Sequence, residues 1–380
     1  MSSRRLLLLV GAIVLVDTIF YAALTPLLPH YADELGLSKS SAGLLVAMYA
    51  LGALAGGVPA GLAASWLGVK PTVLTGLGGM VATTALFGFA DEVWTLDAAR
   101  FLQGFFSSCS WTAALAWLVA DSPAESRGRL IGSAMGAALF GALLGPVVGA
   151  VASFTGTEIT FAALASLGLA LAAWAVRTPS LRDPQRQSPK LLARALGNER
   201  VLAAVWFVTL PAVTFGVINV LAPLRLHALG AATAVIGGTW LVSAGLEAAA
   251  APLVGHVSDR RGRLPPLRAG LAATSVTLVG LILLDSRWWL LAAAVVVTGF
   301  AVGSFWAPAM SLLSDEAERT GLDYAFGFAL VNLAWAPAQI AGSAGGGALA
   351  DATSDAVPYL TLIALCALTL AALWRSASSW

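Results

Sequence analysis

The sequence predicts an all-α membrane protein, with twelve transmembrane helices in two pseudo-symmetric six-helix halves. Three observations carry that expectation. The 380 residues are 58% hydrophobic and only 11% charged, with a mean hydropathy of +0.84. Soluble domains carry roughly 25% charged residues, so this chain lacks the charge to cover a surface facing water. Apolar runs long enough to cross a bilayer, about 20 residues each, recur along the whole length. Finally, the second half repeats the first.

The twelve runs lie at about 6–30, 41–66, 71–90, 93–119, 129–153, 158–176, 201–225, 233–257, 267–284, 288–313, 324–350 and 356–374. Continuous apolar runs imply helices, because backbone groups in lipid must be satisfied within the segment; a barrel would alternate. The opening MSSRRLLLLVGAIVLV imitates a signal peptide, but its apolar run is too long and eleven more follow, so it reads as the first span. Of 21 Lys and Arg, Lys39, Arg225 and Arg287 fall on one side and Arg100 within the fourth span. The remaining 17 fall in the termini and loops of the other side, a bias that places both termini in the cytoplasm. The expected location is the inner (cell) membrane. Cys109 and Cys366 lie within spans and suggest no disulfide framework.

Residues 177–200, RTPSLRDPQRQSPKLLARALGNER, form the sizeable polar interruption. They read as a cytoplasmic linker between an N-terminal half, 1–176, and a C-terminal half, 201–380. TPLLPHYADELG (25–36) aligns with APLRLHALG (222–230), matching Pro26 with Pro223, His30 with His227 and Gly36 with Gly230, with three residues deleted. Beyond it, a constant offset of 194 pairs Gly61 and Gly68 with Gly255 and Gly262, and Asp121 with Asp315. Such repeats build secondary transporters, with the substrate site near the midplane between them.

Two carboxylates fall deep in apolar runs, one per half: Asp17 in the first span and Glu247 in the eighth. Acids inside a membrane are costly and mark ion pathways, and such a group can load and release a proton. The plainer alternative for each is a structural hydrogen bond between helices. In the fourth span, Arg100, Gln103, Gly104, Ser107 and Trp111 share one helical face. They read either as a polar cavity lining, with Arg100 the electrostatic partner of Asp17, or as a packing stripe with Arg100 snorkelling outward. In the fifth span, Gly132, Gly136, Gly141, Gly145 and Gly149 recur every four or five residues beside Pro146. Small residues let helices approach closely and proline bends the helix, so Gly145 and Pro146 are candidate gating positions.

Four stretches together resemble the major facilitator superfamily, and within it the twelve-helix drug/proton antiporters, including tetracycline exporters and vesicular amine transporters. These are Asp17 followed by PLLP, ARFLQGFFSSCS (99–110), GALLGPVVG (141–149) and GHVSDRRGR (255–263). The last is similar to the loop signature of the superfamily, so the resemblance makes Asp259, Arg260, Gly262 and Arg263 candidate gating residues, with Arg127 and Arg129 as partners of Asp259. The equivalent loop after the second span reads GLAASWLGVK (61–70), with Ser65 and Trp66 where an acid and an Arg are expected. The tenth and eleventh spans carry no mid-membrane acid, unlike the amine transporters. The resemblance also assigns cavity-lining spans to Phe20, Tyr21, Phe215, Asn219, Trp306, Asn332 and Trp335. With Gln103, Ser107 and Trp111 these are the candidate substrate contacts, suited to lipophilic or amphipathic solutes.

The sequence holds no enzyme constellation, no P-loop and no metal-ligand spacing, and no cofactor is expected. The expected partners are a small-molecule substrate, protons and the lipid bilayer, not nucleic acid, and the chain is expected to act as a monomer. The expected function is proton-coupled efflux by alternating access. GALLGPVVG favours export over an uptake symporter or facilitator, and a non-transporting sensor or scaffold would want an appended signalling domain.

Overall fold

The computed structural model describes residues 3–122, 127–180, 194–322 and 324–375. Fourteen helices are named here. They are α1 (Ser3–Ala22), α2 (Leu24–Leu35), α3 (Lys39–Trp66), α4 (Val69–Gly88), α5 (Val93–Ala120), α6 (Arg127–Thr155) and α7 (Thr157–Arg177). After residues 181–193 come α8 (Glu199–Ala228), α9 (Thr233–Arg261), α10 (Leu264–Leu283), α11 (Trp288–Arg319), α12 (Tyr324–Ile340), α13 (Gly346–Ala352) and α14 (Ala356–Arg375). Helices α1 and α2 make the first span. Helices α12 and α13, with a π-helical turn at Ala341–Gly345 between them, make the eleventh. Every predicted span is a helix within a few residues.

Ten of the described helices are long and apolar enough to cross a membrane. α5 falls short because Asp97, Arg100, Gln103 and five serines and threonines dilute it. The outward faces stay apolar, as a lipid-facing surface requires: Val58, Phe154, Val276 and Leu283 are each more than 70% exposed.

The repeat is visible in the helix bounds. Adding 194 to the bounds of α3 and α4 gives 233–260 and 263–282, against the observed Thr233–Arg261 and Leu264–Leu283. The paired glycines serve the same purpose in each copy. Gly68 and Gly262 have φ of 94° and 84°, and Gly36 and Gly230 have φ of 61° and 89°, each at a helix end where the chain turns through the left-handed region. One pair of proline positions diverges. α8 runs unbroken through Pro223, whereas the first span breaks at Ala23, three residues before Pro26.

The chain divides into two compact units, Met1–Leu27 with Met48–Leu191, and Leu28–Ala47 with Leu192–Trp380. In the first unit, α1 packs on α6, α4 on α5 and α7. The glycine row of α6 splits in two. A Cβ at Gly141 would lie 2.5 Å from the Leu15 carbonyl oxygen, one at Gly145 3.0 Å from the Ala22 backbone, and one at Gly149 2.7 Å from the Pro26 ring. Gly132 and Gly136 face open space. Three glycines thus set the distance between α6 and α1, on both sides of the break at Ala23.

In the second unit, the segment 28–47 is docked onto the corner formed by the π-turn, α13 and the start of α14. Gly43 lies against the Ser343 carbonyl, and Gly347 against the Lys39 backbone. The first N–H groups of α3 have no partner in their own helix. Asp351 supplies one from another helix: its Oδ2 accepts from Ser40 N at 2.7 Å and its Oδ1 from Lys39 N at 3.3 Å. Lys39 Nζ pairs with Asp355, and His227 Nε2 meets Asp33 Oδ2 at 2.8 Å. Partial burial acts to raise the Asp351 carboxyl, but donors from Ser40, Ser38 and Lys39 outweigh it and hold it below its ordinary value.

Two outcomes follow from this packing. Gly145→Leu overfills the α6–α1 contact and should cost roughly 1–3 kcal/mol, read as a lower thermal midpoint in detergent; Gly136→Leu should leave that midpoint unchanged. Asp351→Ala should raise amide exchange in 39–47, by about 1 kcal/mol or less given the exposure of the carboxylate. Because the folded Asp351 titrates below its unfolded value, its contribution is present above the ordinary aspartate range. It is lost as pH falls through the lowered value. The acid-induced rise in 39–47 exchange should therefore be smaller in Asp351→Ala than in the unmodified protein.

Candidate functional site

In the first unit, the backbones of α3 and α5 meet at glycines. A Cβ at Gly104 would run into the Tyr49 carbonyl, and one at Gly52 would lie 2.7 Å from the Phe101 carbonyl carbon. This approach brings the α3 side chain Tyr49 onto the polar stripe of α5 and, across it, to α1.

Asp17 is 6% exposed. Its Oδ2 accepts from Ser107 Oγ at 2.8 Å, and Tyr49 OH lies 3.4 Å away. Tyr49 OH also reaches Ser107 Oγ at 2.8 Å. A phenol has one proton to give, so the short contacts define a directed chain: Tyr49 donates to Ser107, which donates to Asp17. Asp17 Oδ1 is buried with no hydrogen-bond partner among the described residues.

Arg100 is 1% exposed, so its charge is met inside the protein. Nη1 donates to the Phe20 carbonyl at 3.1 Å and to Gln103 Oε1 at 3.0 Å, and Nη2 donates to the Tyr21 carbonyl at 3.3 Å. Gln103 in turn donates from Nε2 to Thr84 Oγ1 at 3.3 Å. The guanidinium carbon lies 4.9 Å from the centre of the Tyr49 ring and 5.9 Å from that of Phe87. Arg100 and Asp17 are joined through Tyr49 rather than as a direct ion pair. Arg100 is turned inward, which sets aside the snorkelling alternative.

The structure brings together Asp17, Arg100, Gln103 and Ser107 of the predicted set, with Phe20 and Tyr21 contributing carbonyls. The Tyr21 ring also lies 5.0 Å from that of Tyr49. Trp111 is half-buried one turn beyond Ser107 and is not drawn into the network.

In the second unit, Glu247 lies along α11 over a glycine notch. A Cβ at Gly303 would lie 2.5 Å from Glu247 Cγ, and one at Gly299 3.3 Å from Ser243 Cβ. Among the described residues Glu247 has no hydrogen-bond partner. Asn219 Oδ1 accepts from Trp240 Nε1 at 2.8 Å. Phe215, Trp306, Asn332 and Trp335 are half-buried.

Of the loop-signature residues, Arg263 binds Asp315 Oδ2 at 3.2 Å and Ser258 Oγ at 3.2 Å. Gly262 takes its positive φ, and Arg260 and Arg129 are exposed. The side chains of Asp259 and Arg127 lie outside the described residues. In the corresponding loop of the first unit, Ser65 Oγ donates to the Leu62 carbonyl of its own helix at 2.9 Å and Trp66 is 71% exposed. Gly145 and Pro146 sit buried on the α6 face toward α1.

Sequence reasoning missed Tyr49, Thr84, Trp240 and the pairing of Arg263 with Asp315. Tyr49 carries no charge to mark it, and its one clue was Gly52 beside Gly104, a pair that permits close approach. For Asp315, the offset of 194 from Asp121 pointed to the position but not to its partner.

Comparison with known proteins agrees with this architecture. The chain matches the model described as Major Facilitator Superfamily over residues 10–285 and again over 212–379. It is 35% identical over 138 residues to an uncharacterized MFS-type transporter of Schizosaccharomyces pombe, covering 34% of this chain and 31% of that one. It is 33% identical over 140 residues to a probable vesicular acetylcholine transporter-B of Danio rerio, covering 34% and 28%. The matched stretches thus span about a third or less of these relatives. Among solved structures, the xylose transporter XylE from E. coli, in a partially occluded inward open conformation, superposes with a TM-score of 0.77. The identity is 15%, over 98% of this chain and 97% of that one. A bacterial homolog to the human lysosomal transporter Spinster superposes with a TM-score of 0.72 at 16% identity, over 98% and 93%. Twelve spans, the repeat and the family model together show that this chain belongs to the Major Facilitator Superfamily of membrane transporters.

Proposed function

We propose that this transporter is a proton-driven exporter of small lipophilic or amphipathic compounds, with Asp17 as the site that exchanges the proton. The observation that carries this reading is the shell around Asp17. Ser107 donates to Oδ2 with the Tyr49 hydroxyl beside it, while Oδ1 is buried with no hydrogen-bond partner among the described residues. A proton can be added at Oδ1 without breaking a bond already made. The positive-inside bias puts the α1 N-terminus in the cytoplasm of a cell whose inner membrane holds the protein, acting as a monomer. Opening outward, Asp17 takes up a proton and cargo leaves; opening inward, the proton leaves and cargo binds.

Gln103 and Ser107 are already engaged inside the cluster. Tyr21, Trp111, Phe215, Trp306, Trp335 and Asn332 are half-buried and are the candidate solute contacts, each within its own unit. Relatives named as vesicular acetylcholine transporters fit a solute that competes with a proton for Asp17. Glu247, over its glycine notch and with no hydrogen-bond partner among the described residues, is the second candidate for the proton. The competing reading is uptake by proton symport, which the same fold supports.

The test is transport in proteoliposomes under an imposed pH gradient, screened against dyes, antibiotics and amines. Export predicts accumulation driven by a gradient of the antiport sign; accumulation only under the opposite sign means symport. Asp17→Asn keeps size and hydrogen bonding but cannot titrate. It should reduce gradient-driven accumulation to the level of empty vesicles while leaving substrate exchange intact. If Asp17→Asn still concentrates substrate, Asp17 is not the coupling site, and Glu247→Gln should then abolish the response.

A further inference from the structure

Tyr49 touches both buried charges of the cluster, Asp17 and Arg100. Its hydroxyl is in the Ser107–Asp17 network and its ring lies under the Arg100 guanidinium. At 4% exposure it has no room to turn without disturbing one side or the other. Arg100 in turn donates to the carbonyls of Phe20 and Tyr21. These residues end α1, just before the break at Ala23. The path from carboxyl to helix break therefore runs through one phenol and one guanidinium, both buried.

We infer that Tyr49 is the positioning residue through which the charge on Asp17 reaches Arg100 and, through it, the joint between α1 and α2. The inference rests on the reading that Asp17 exchanges a proton. With Asp17 ionised, the hydroxyl chain runs from Tyr49 through Ser107 to the carboxylate, which pins the phenol and hence the ring beneath Arg100. A proton added at Oδ1 removes the charge that orders that chain and gives the carboxyl a donor of its own. The phenol is then no longer held at its hydroxyl end. The ring shifts under the guanidinium, and the grip of Arg100 on the Phe20 and Tyr21 carbonyls changes with it.

The titratable and charged groups facing Tyr49 are Asp17 and Tyr21 from α1 and Arg100 from α5. α4 offers the neutral Thr84 to the Gln103 amide, and α6 offers glycines to α1. The cluster thus has one carboxyl, one fixed cation and a phenol bridging them. Proton movement at Asp17 is converted into a backbone change one to two turns along the same span.

Infrared titration of the purified protein in lipid vesicles tests this without knowledge of the substrate. The protonated-carboxyl band lost in Asp17→Asn reports the Asp17 midpoint. Tyr49→Phe keeps the ring and removes the hydroxyl, and should move that midpoint by about one pH unit, the scale of one hydrogen bond to a charged group. A cysteine placed at Ala22 should show pH-dependent labelling with the same midpoint in the parent protein. That pH dependence should be lost in Tyr49→Phe and in Tyr49→Leu, and in the Asp17→Asn background Tyr49→Phe should add nothing. A midpoint and labelling profile unchanged by Tyr49→Phe would overturn the role of Tyr49 while leaving Asp17 as the proton site. If no titrating band is lost in Asp17→Asn, the proton reading itself fails, and the coupling through Tyr49 falls with it.

Discussion

A guanidinium at 1% exposure inside a membrane protein has to be satisfied by the protein itself. Leaving such a charge unpaired costs several kcal/mol, so the groups around Arg100 are placed by necessity. Two backbone carbonyls of α1, the Gln103 amide and two aromatic faces surround it. The break at Ala23 and the missing N–H of Pro26 sit beside those carbonyls, where the end of a helix has acceptors to spare. Gln103 is oriented by Thr84, so α4 enters the same network. The arginine ties α1, α3, α4 and α5 into one structure around Asp17.

That arrangement depends on short distances between helices. Apolar burial does little to hold one helix against another in lipid, so close packing has to do it. Gly52 and Gly104 let the α3 and α5 backbones touch, which places Tyr49 within 2.8 Å of Ser107. Gly141, Gly145 and Gly149 bring α6 against α1 from Leu15 to Pro26, on either side of Asp17 and Ala23. The second unit uses the same device at Gly43 and Gly347, where a carboxylate then caps the exposed end of α3. Glycine sets the spacing and polar groups set the register.

Much of this was legible in the residues, and the part that was not has a common cause. Length and hydropathy marked all twelve spans, because a helix in lipid is apolar on nearly every face. Asp17 and Arg100 stood out for the complementary reason that charge is expensive there. Tyr49 and Thr84 are ordinary residues in a membrane helix, and only the crossing of α3, α4 and α5 gives them partners. The docking of 28–47 onto the second unit was also hidden. Sequence order places that segment in the first half, and Asp351 becomes a cap for α3 only through a contact more than 300 residues away along the chain. Arg100 was expected as the electrostatic partner of Asp17, and Tyr49, which lies against both, could not be read from charge alone.

The repeat shows how a symmetric scaffold carries an asymmetric chemistry. Carrying the sequence register across, the counterpart of Asp17 is Thr214, whose hydroxyl donates to Leu210 O of its own helix at 2.8 Å. Arg100 corresponds to Ala294 and Ser107 to Ala301, both buried and apolar. Tyr49 corresponds to Ser243, one turn from Glu247, which has no acidic counterpart in the first half, where Ala53 stands. Helix bounds and turn glycines have stayed in step because they set the backbone, and any side chain compatible with a bilayer can ride on it. The first unit has kept a buried polar network that joins Asp17, Ser107, Tyr49, Arg100, Gln103 and Thr84. The second has a carboxyl packed over a glycine notch and an amide bound to an indole. A cluster of that kind is costly to build in hydrocarbon, and a single copy leaves the two halves with different chemistry on the same backbone.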